Sequence, residues 1–242
     1  MTFFIIMFSM DKIVVIDFSG TLIKPFVAEQ ANLKRYEILG IPKPSEKEHK
    51  KLHGTKKHYD IIKEFISNRY GIEDDMKINF VQNYDGEIKL PGKDVKTMIM
   101  TDLFRDCMYL VAKEYGERIY TEDIIEALKV VKERDYKLAI VSGIRTDIIT
   151  GVLAITKCPI DFDYIYGQDP VLSRDNNKQL NEKLAKQGEI VYIIGDKLSD
   201  LEPAKGIGAK AIFLKGGHPT GGEEQFADYV ISNAKELLEI IN

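Results

Sequence analysis

From Tyr120 onward the chain repeats one pattern: a short run apolar on both faces, then a stretch with helical periodicity. The stretch "TEDIIEALKVVKERD" has helix spacing, "YKLAIVS" reads as a strand, and a further helix is expected to begin near Arg145. The alternation continues through "YIYGQD", a helix over about Lys178 to Gln187, the strand "IVYIIGD", a helix near Ser199 to Gly206 and the strand "AKAIFL". Doubly apolar strands separated by amphipathic helices belong to a parallel sheet covered on both sides. The expected fold class is therefore α/β, with a doubly wound parallel sheet, and the run Ile13 to Ile16 supplies its first strand.

Between Lys24 and about Gly116 the rhythm changes. Long helix-compatible stretches such as "YDIIKEFISNRYG" and "DVKTMIMTDLFRDCMYLVAKEYG" dominate, with no convincing buried strand. The expectation is a core at 10–24 and 117–242 interrupted by a helical insert at 25–116. Within the insert, "NYDGEIKLPGKD" carries Asp-Gly and Pro-Gly turn signals and reads as its loop. The methionines and aromatics of "TMIMTDLFRDCMYLVAKEY" recur at helical spacing and read as packing. Ahead of the first strand, Phe3 to Phe8 is continuously apolar, but a bilayer span needs about 20 such residues. The basic flank and small-residue cleavage site of a signal peptide are also missing. Met10 is the expected start, with residues 1–9 an extension; mass spectrometry of the native N-terminus tests this.

Composition narrows the function classes. Over 242 residues the formal net charge is -4 with both signs interspersed, which gives no global reason to expect nucleic acid and leaves only a local basic patch open. The two cysteines, Cys107 and Cys158, make a disulfide framework improbable and point to a reducing, cytoplasmic setting; the short apolar run gives no reason to expect a membrane. The stretch "KEHKKLHGTKKHYD" concentrates His49, His53 and His58 among lysines. It is expected to be a solvated helix face; an anion-attracting surface is the sharper alternative.

In doubly wound sheets ligands bind beyond the carboxyl ends of the strands, so polar residues that terminate strands are the ones to collect. The first strand ends in Asp17, followed by the turn Ser19-Gly20-Thr21. A second ends in Ser142-Gly143, and a third in Gly195-Asp196 with Asp200 four residues on. Lys178 stands at the expected start of a helix, where its charge and free backbone amides can face one anion. A carboxylate is a competent nucleophile toward phosphorus. Paired aspartates hold a hard cation that prefers oxygen ligands, and a hydroxyl beside a glycine amide suits phosphate oxygens. Taken singly, each has a plainer reading: Asp17 and Asp200 as helix caps or turn formers, Ser142-Gly143 as a strand-ending turn, Lys178 as a surface lysine. Arg145 reads equally well as a substrate contact or as a helix opener.

Together, "DFSGTL", "VSG", Lys178 and "GDKLSD" resemble, in order, the four motifs of the haloacid dehalogenase superfamily of phosphohydrolases. The segment "GDKLSDLEPAKGIGAKAIFL" is similar to the family pattern around its acidic motif, and "VSGIRTD" looks closest to the phosphoserine-phosphatase-like branch. The resemblance implies a Rossmann-like core with a helical cap inserted between the first two motifs, closing over the site. It implies Mg2+ as cofactor and a small phosphorylated substrate as partner. It also implies Asp17 as nucleophile and metal ligand, the Ser19 carbonyl and Asp196 as further ligands, and Asp200 in support. Thr21, Ser142, Gly143 and Lys178 would hold phosphate, with Lys183 and Lys186 as alternatives to Lys178 for the third motif. Oligomeric state leaves no mark in the sequence.

The departure from the pattern is Ser19. Most phosphatases of the superfamily carry a second aspartate there, which protonates the leaving oxygen and then activates water. General acid-base assistance is worth about 10² to 10⁴ in rate, and serine does not supply it. Three readings stay open: a slow phosphatase, a phosphate-binding or regulatory protein with its catalytic step disabled, and another reaction of the superfamily such as phosphonate cleavage or phosphoryl transfer.

Overall fold

Six strands form one sheet in the computed structural model, which describes residues 10–45, 48, 56–72, 77–78, 81–83, 87–89, 93–168 and 176–241. Numbered along the chain, they are β1 (Lys12–Ile16), β6 (Lys137–Arg145), β7 (Tyr164–Gln168), β8 (Glu189–Gly195), β9 (Lys210–Leu214) and β10 (Tyr229–Ile231). All their pairings are parallel, in the order β10-β9-β8-β1-β6-β7. The chain builds outward from β1 on one side and then restarts with β8 on the other. The strand order thus reverses between β1 and β8, the crevice where such sheets take ligands.

The strands fit this place because both of their faces are apolar. Ile13, Val15, Ala139, Val141, Ile193, Ala211 and Phe213 pack in one layer with Leu180, Leu184, Leu201 and Ala204 from helices. The alternate residues Val14, Ile16, Leu138, Ile140, Ile194 and Ile212 are equally buried. Since side chains alternate along a strand, the sheet is covered on both faces. Each fully buried aliphatic side chain contributes about 1.5–3 kcal/mol to that packing.

The chain forms two compact units, one spanning Met1–Pro25 and Glu117–Asn242, the other Phe26–Gly116. Besides the sheet, the first unit carries helices α4 (Ile124–Glu133), α5 (Thr146–Ile155), α6 (Asn177–Leu184), α7 (Leu198–Leu201), α8 (Pro203–Ile207), α9 (Glu223–Phe226) and α10 (Leu237–Ile240). The single helix expected near Ser199 to Gly206 is two, because Pro203 lacks the N–H that would continue α7 and instead opens α8 at its first position. The three-residue strand β10 carries too little periodicity to be read from sequence.

The second unit contains α1 (Phe26–Leu39), α2 (Lys56–Tyr70) and α3 (Val95–Tyr115). Where the sequence pattern predicts helices without strands, four short strands are also present. Strand β2 (Lys77–Ile78) pairs antiparallel with β5 (Lys93–Asp94), and β3 (Val81–Asn83) with β4 (Glu87–Lys89). Part of "NYDGEIKLPGKD" is therefore strand, in pieces too short for the alternation test. Tyr36, Leu39, Ile62, Ile66 and Met100 form the apolar core of this unit.

His58 corrects the expectation of a solvated face: its side chain is fully buried. Its spacing of four and eight residues from Ile62 and Ile66 puts it on the inward stripe of α2. The imidazole Nε2 lies 2.9 Å from an Arg35 amino group. Arginine only donates, so Nε2 accepts; Nδ1 then carries the proton and donates to the Tyr36 hydroxyl at 3.0 Å. Arg35, also buried, donates further to Asn32 Oδ1 at 2.5 Å and to the Met100 carbonyl at 3.2 Å. Its guanidinium stands 5.3 Å from the centroid of the Phe104 ring. His49, His53 and the N-terminal extension at residues 1–9 lie outside the described residues. Among the described residues no helix is long and apolar enough to cross a membrane.

Candidate active site

Strand register assembles the site. Ile16 of β1 lies opposite both Ile140 of β6 and Ile194 of β8. One residue further along each strand the ladder ends, and Asp17 emerges there with its N–H still bonded to the Ile194 carbonyl at 2.9 Å. Ser142 and Asp196 come next on the two neighbouring strands, which brings the three polar side chains to one edge. The chain then turns sharply: Leu22 N–H reaches back to the Asp17 carbonyl at 3.1 Å, and Gly20 N–H to the Ile23 carbonyl at 2.8 Å. Gly20 sits at φ 100°, and a Cβ there would collide with the Asp196 carboxylate.

The carboxylates of Asp17, Asp196 and Asp200 offer oxygens that all lie within 4.8 Å of one another, and all three residues are buried. Burial and the negative charges of Asp200 and Asp196 push the Asp17 carboxyl well above its ordinary range, against the Ser142 hydroxyl bond and the charge of Lys197. Burial and Asp196 likewise push Asp200 up to about 6, partly offset by the charge and backbone N–H of Lys197 and by the Ser199 hydroxyl. Such a cluster is unfavourable as three bare anions. Its donor set, acidic oxygens only and held in place, suits a hard divalent cation.

Each acid is oriented by neighbours. Asp196 accepts from the Thr21 hydroxyl at 3.3 Å and from the His218 N–H at 2.6 Å. The latter belongs to the loop after β9, which approaches so closely that a Cβ on Gly217 would also strike Asp196. That loop is itself pinned by buried Glu223, whose Oε1 accepts from the Thr220 hydroxyl at 2.7 Å and from Leu198 N–H at 3.3 Å. Asp200 accepts from the Lys197 N–H at 3.2 Å and from Asn177 Nδ2 at 2.7 Å.

Of the residues singled out in the sequence, Asp17, Thr21, Ser142, Asp196 and Asp200 are drawn together by these contacts; Ser19 lies in the turn after β1, and Gly143 follows Ser142 within β6. Lys178 is not drawn in. Its side chain is 70% exposed and stands 4.0 Å from Glu182, one turn along the same helix. The residue of α6 that reaches the acids is its neighbour Asn177. A helix presents residues 100° apart in direction, so a shift of one position turns a side chain from site to solvent. The sequence did hold a signal: Leu180, Asn181 and Leu184 are the buried stripe of α6, and Asn177 falls on it at spacings of three, four and seven. Arg145 forms a two-pronged pair with Asp147, at 2.9 and 2.6 Å, across the start of α5, a helix-opening role. The loop bearing His218 gave no signal before its fold was known.

A parallel sheet in this order, with acids gathered at its switch point, defines a doubly wound α/β protein with an anionic, cation-ready site. The family model described as haloacid dehalogenase-like hydrolase matches residues 14–214, and the chain belongs to that family. A phosphoglycolate phosphatase from Aquifex aeolicus is 25% identical over 171 residues, covering 65% of this chain and 80% of that protein. Among solved structures, a haloacid dehalogenase-like family hydrolase from Streptococcus pneumoniae superposes with a TM-score of 0.64 at 16% identity, covering 96% of this chain and 99% of that one. CbbY from Rhodobacter sphaeroides, solved with xylulose-(1,5)bisphosphate, gives a TM-score of 0.64 at 16% identity, covering 94% and 96%. These structural likenesses establish the shared fold.

Proposed function

We propose that the protein is a magnesium-dependent phosphatase that acts on a small phosphorylated metabolite in the cytoplasm, with Asp17 as nucleophile. The observation that carries this reading is the convergence of three buried carboxylates within 4.8 Å at the sheet's switch point. Burying mutually repelling acids costs stability, and a hard cation bound by Asp17, Asp196, the Ser19 carbonyl and, directly or through water, Asp200 would relieve it. When bound, the ion would offset the charge of the triad and of the phosphoryl oxygens. The named ligands of two relatives, phosphoglycolate and xylulose-(1,5)bisphosphate, are both small and phosphorylated, which supports the substrate class. The unit spanning Phe26–Gly116 takes the part of the substrate-selecting insert.

In this reading an Asp17 carboxylate oxygen attacks phosphorus, the bond to the leaving alcohol breaks, and that oxygen takes a proton from water because Ser19 has none to give at neutral pH. Water then cleaves the aspartyl phosphate, regenerating Asp17 and releasing inorganic phosphate. The Ser142 hydroxyl and the backbone N–H of Gly143 hold the phosphoryl oxygens, and Thr21 keeps Asp196 aimed. Hydrolysis of an aryl phosphate and of a panel of sugar, amino-acid and nucleotide phosphates, with and without Mg2+, tests this beside Asp17→Asn. Turnover that survives removal of Mg2+ or of Asp17 would sink it.

Ser19 favours one second reading, a site that binds a phosphate ligand without turning it over. Ser19→Asp separates the two. A latent hydrolase gains about 10² to 10⁴ in rate when an acid-base group is restored; a binding protein stays silent.

A further inference from the structure

The amide of Asn177 occupies a position that neither the motif reading nor the proposed reaction assigns. Its Nδ2 donates to Asp200 Oδ1 at 2.7 Å. Its Oδ1 is the nearest atom to where a Cβ of Gly143 would stand, 3.9 Å away. One planar group therefore stands between Asp200 of α7 and Gly143 near the end of β6. It is also well anchored, because Asn181 Nδ2 donates to the Asn177 carbonyl at 2.8 Å and the helix start is capped reciprocally by Asn176 and Gln179. Neither anchor uses the Asn177 side chain. Lys178, the only cation in the first turn of α6, points away to solvent.

We propose that Asn177 is the positioning residue of this site: it holds Asp200 in the orientation needed for metal binding and sets a neutral amide, rather than the Lys178 ammonium, beside Gly143. The proposal rests on the magnesium-phosphatase reading above. A donor that orients a metal-binding carboxylate fixes which lone pair faces the ion, and losing such a partner commonly weakens metal affinity 10- to 100-fold. An ammonium placed at the same corner would add a charge-assisted hydrogen bond to phosphate, roughly twice as strong as a neutral one.

Calorimetric titration with Mg2+ alone, and with inorganic phosphate in the presence of Mg2+, tests both halves on the full-length protein. Asn177→Ala and the larger, apolar Asn177→Leu are expected to weaken Mg2+ binding by about tenfold or more with the unfolding midpoint unchanged. Asn177→Lys is expected to tighten inorganic phosphate by about tenfold, whereas Lys178→Ala changes neither affinity. Mg2+ binding within about twofold of the unsubstituted protein in both the Ala and Leu variants overturns the proposal, as does unchanged phosphate affinity in Asn177→Lys. If the unsubstituted protein binds no Mg2+, the phosphatase reading itself fails and the proposal with it, an outcome distinct from failure of the variants alone.

Discussion

The two units bury opposite charge and resolve it in opposite ways. In the first, Asp17, Asp196 and Asp200 face one another, burial and neighbouring negative charge raise the proton affinity of Asp17 and Asp200, and the acids are met by the Thr21, Ser142, Ser199 and Asn177 side chains and by backbone N–H groups. In the second, buried Arg35 meets neutral acceptors, Asn32, the Met100 carbonyl and a His58 held uncharged, with the Phe104 ring beside it. Arg35 meets protein acceptors through both amino groups, while its Nε, also buried, meets none among the described residues. The acidic cluster instead sets three buried like charges together, the pattern expected of a site rather than of a structural network.

The largest expected effect falls on the acidic side. Asp17→Asn keeps the shape of the side chain and removes the carboxylate proposed as nucleophile, so turnover should fall by on the order of 10⁴-fold or more while folding is retained. A variant that keeps a tenth of the activity would show that the cluster is structural after all.

On the basic side the effect should be on stability. Arg35→Ala removes buried packing and strands the acceptors on Asn32 and His58, and is expected to cost about 3 kcal/mol in urea unfolding. Arg35→Met restores the volume but not the donors and should cost less, about 1–2 kcal/mol. Should Arg35→Met match or exceed the parent in stability, the hydrogen bonds of this cluster contribute nothing net and the contrast between the units weakens.

The smallest effect sharpens the comparison through pH. Asp200 in the metal-free fold titrates at about 6 against an ordinary 3.8, so the folded state holds a proton that the unfolded chain has released. The sign follows: this stabilisation is present below about pH 4 and is lost as pH rises through about 6, with Asp17 acting in the same direction. Metal-free protein should therefore lose on the order of 2–3 kcal/mol across that window. Asp200→Asn should flatten the loss, and Mg2+ at 100 times its dissociation constant should return about 2.7 kcal/mol at neutral pH. Stability that rises with pH over this range would contradict the picture of self-repelling acids.

Legibility in the sequence followed the range of the interactions involved. The doubly apolar runs at Ile13 to Ile16 and Ile190 to Ile194 were readable as buried parallel strands because burial on both faces leaves no polar alternation. Asp17, Ser142 and Asp196 were readable because strand ends announce themselves locally. His58 was misread as solvated because the lysines around it outweighed its own place on the stripe of Ile62 and Ile66. Lys178, with Lys183 and Lys186 as alternatives, was expected because a cation beside phosphate is the chemically obvious choice, while direction around a helix turns by 100° per residue and brings Asn177 to Asp200 instead.

By itself, then, the sequence determined the α/β class, the strands that end in acids and the order in which they occur, since each depends on composition and period within a dozen residues. Tertiary structure decided which side chains meet: that Ile16 aligns with both Ile140 and Ile194, that the loop carrying Gly217 and His218 wraps Asp196, and that Asn177 rather than Lys178 reaches Asp200. Those outcomes depend on strand register and helix rotation, where a shift of one residue reverses a side chain's direction, and no local pattern carries that information.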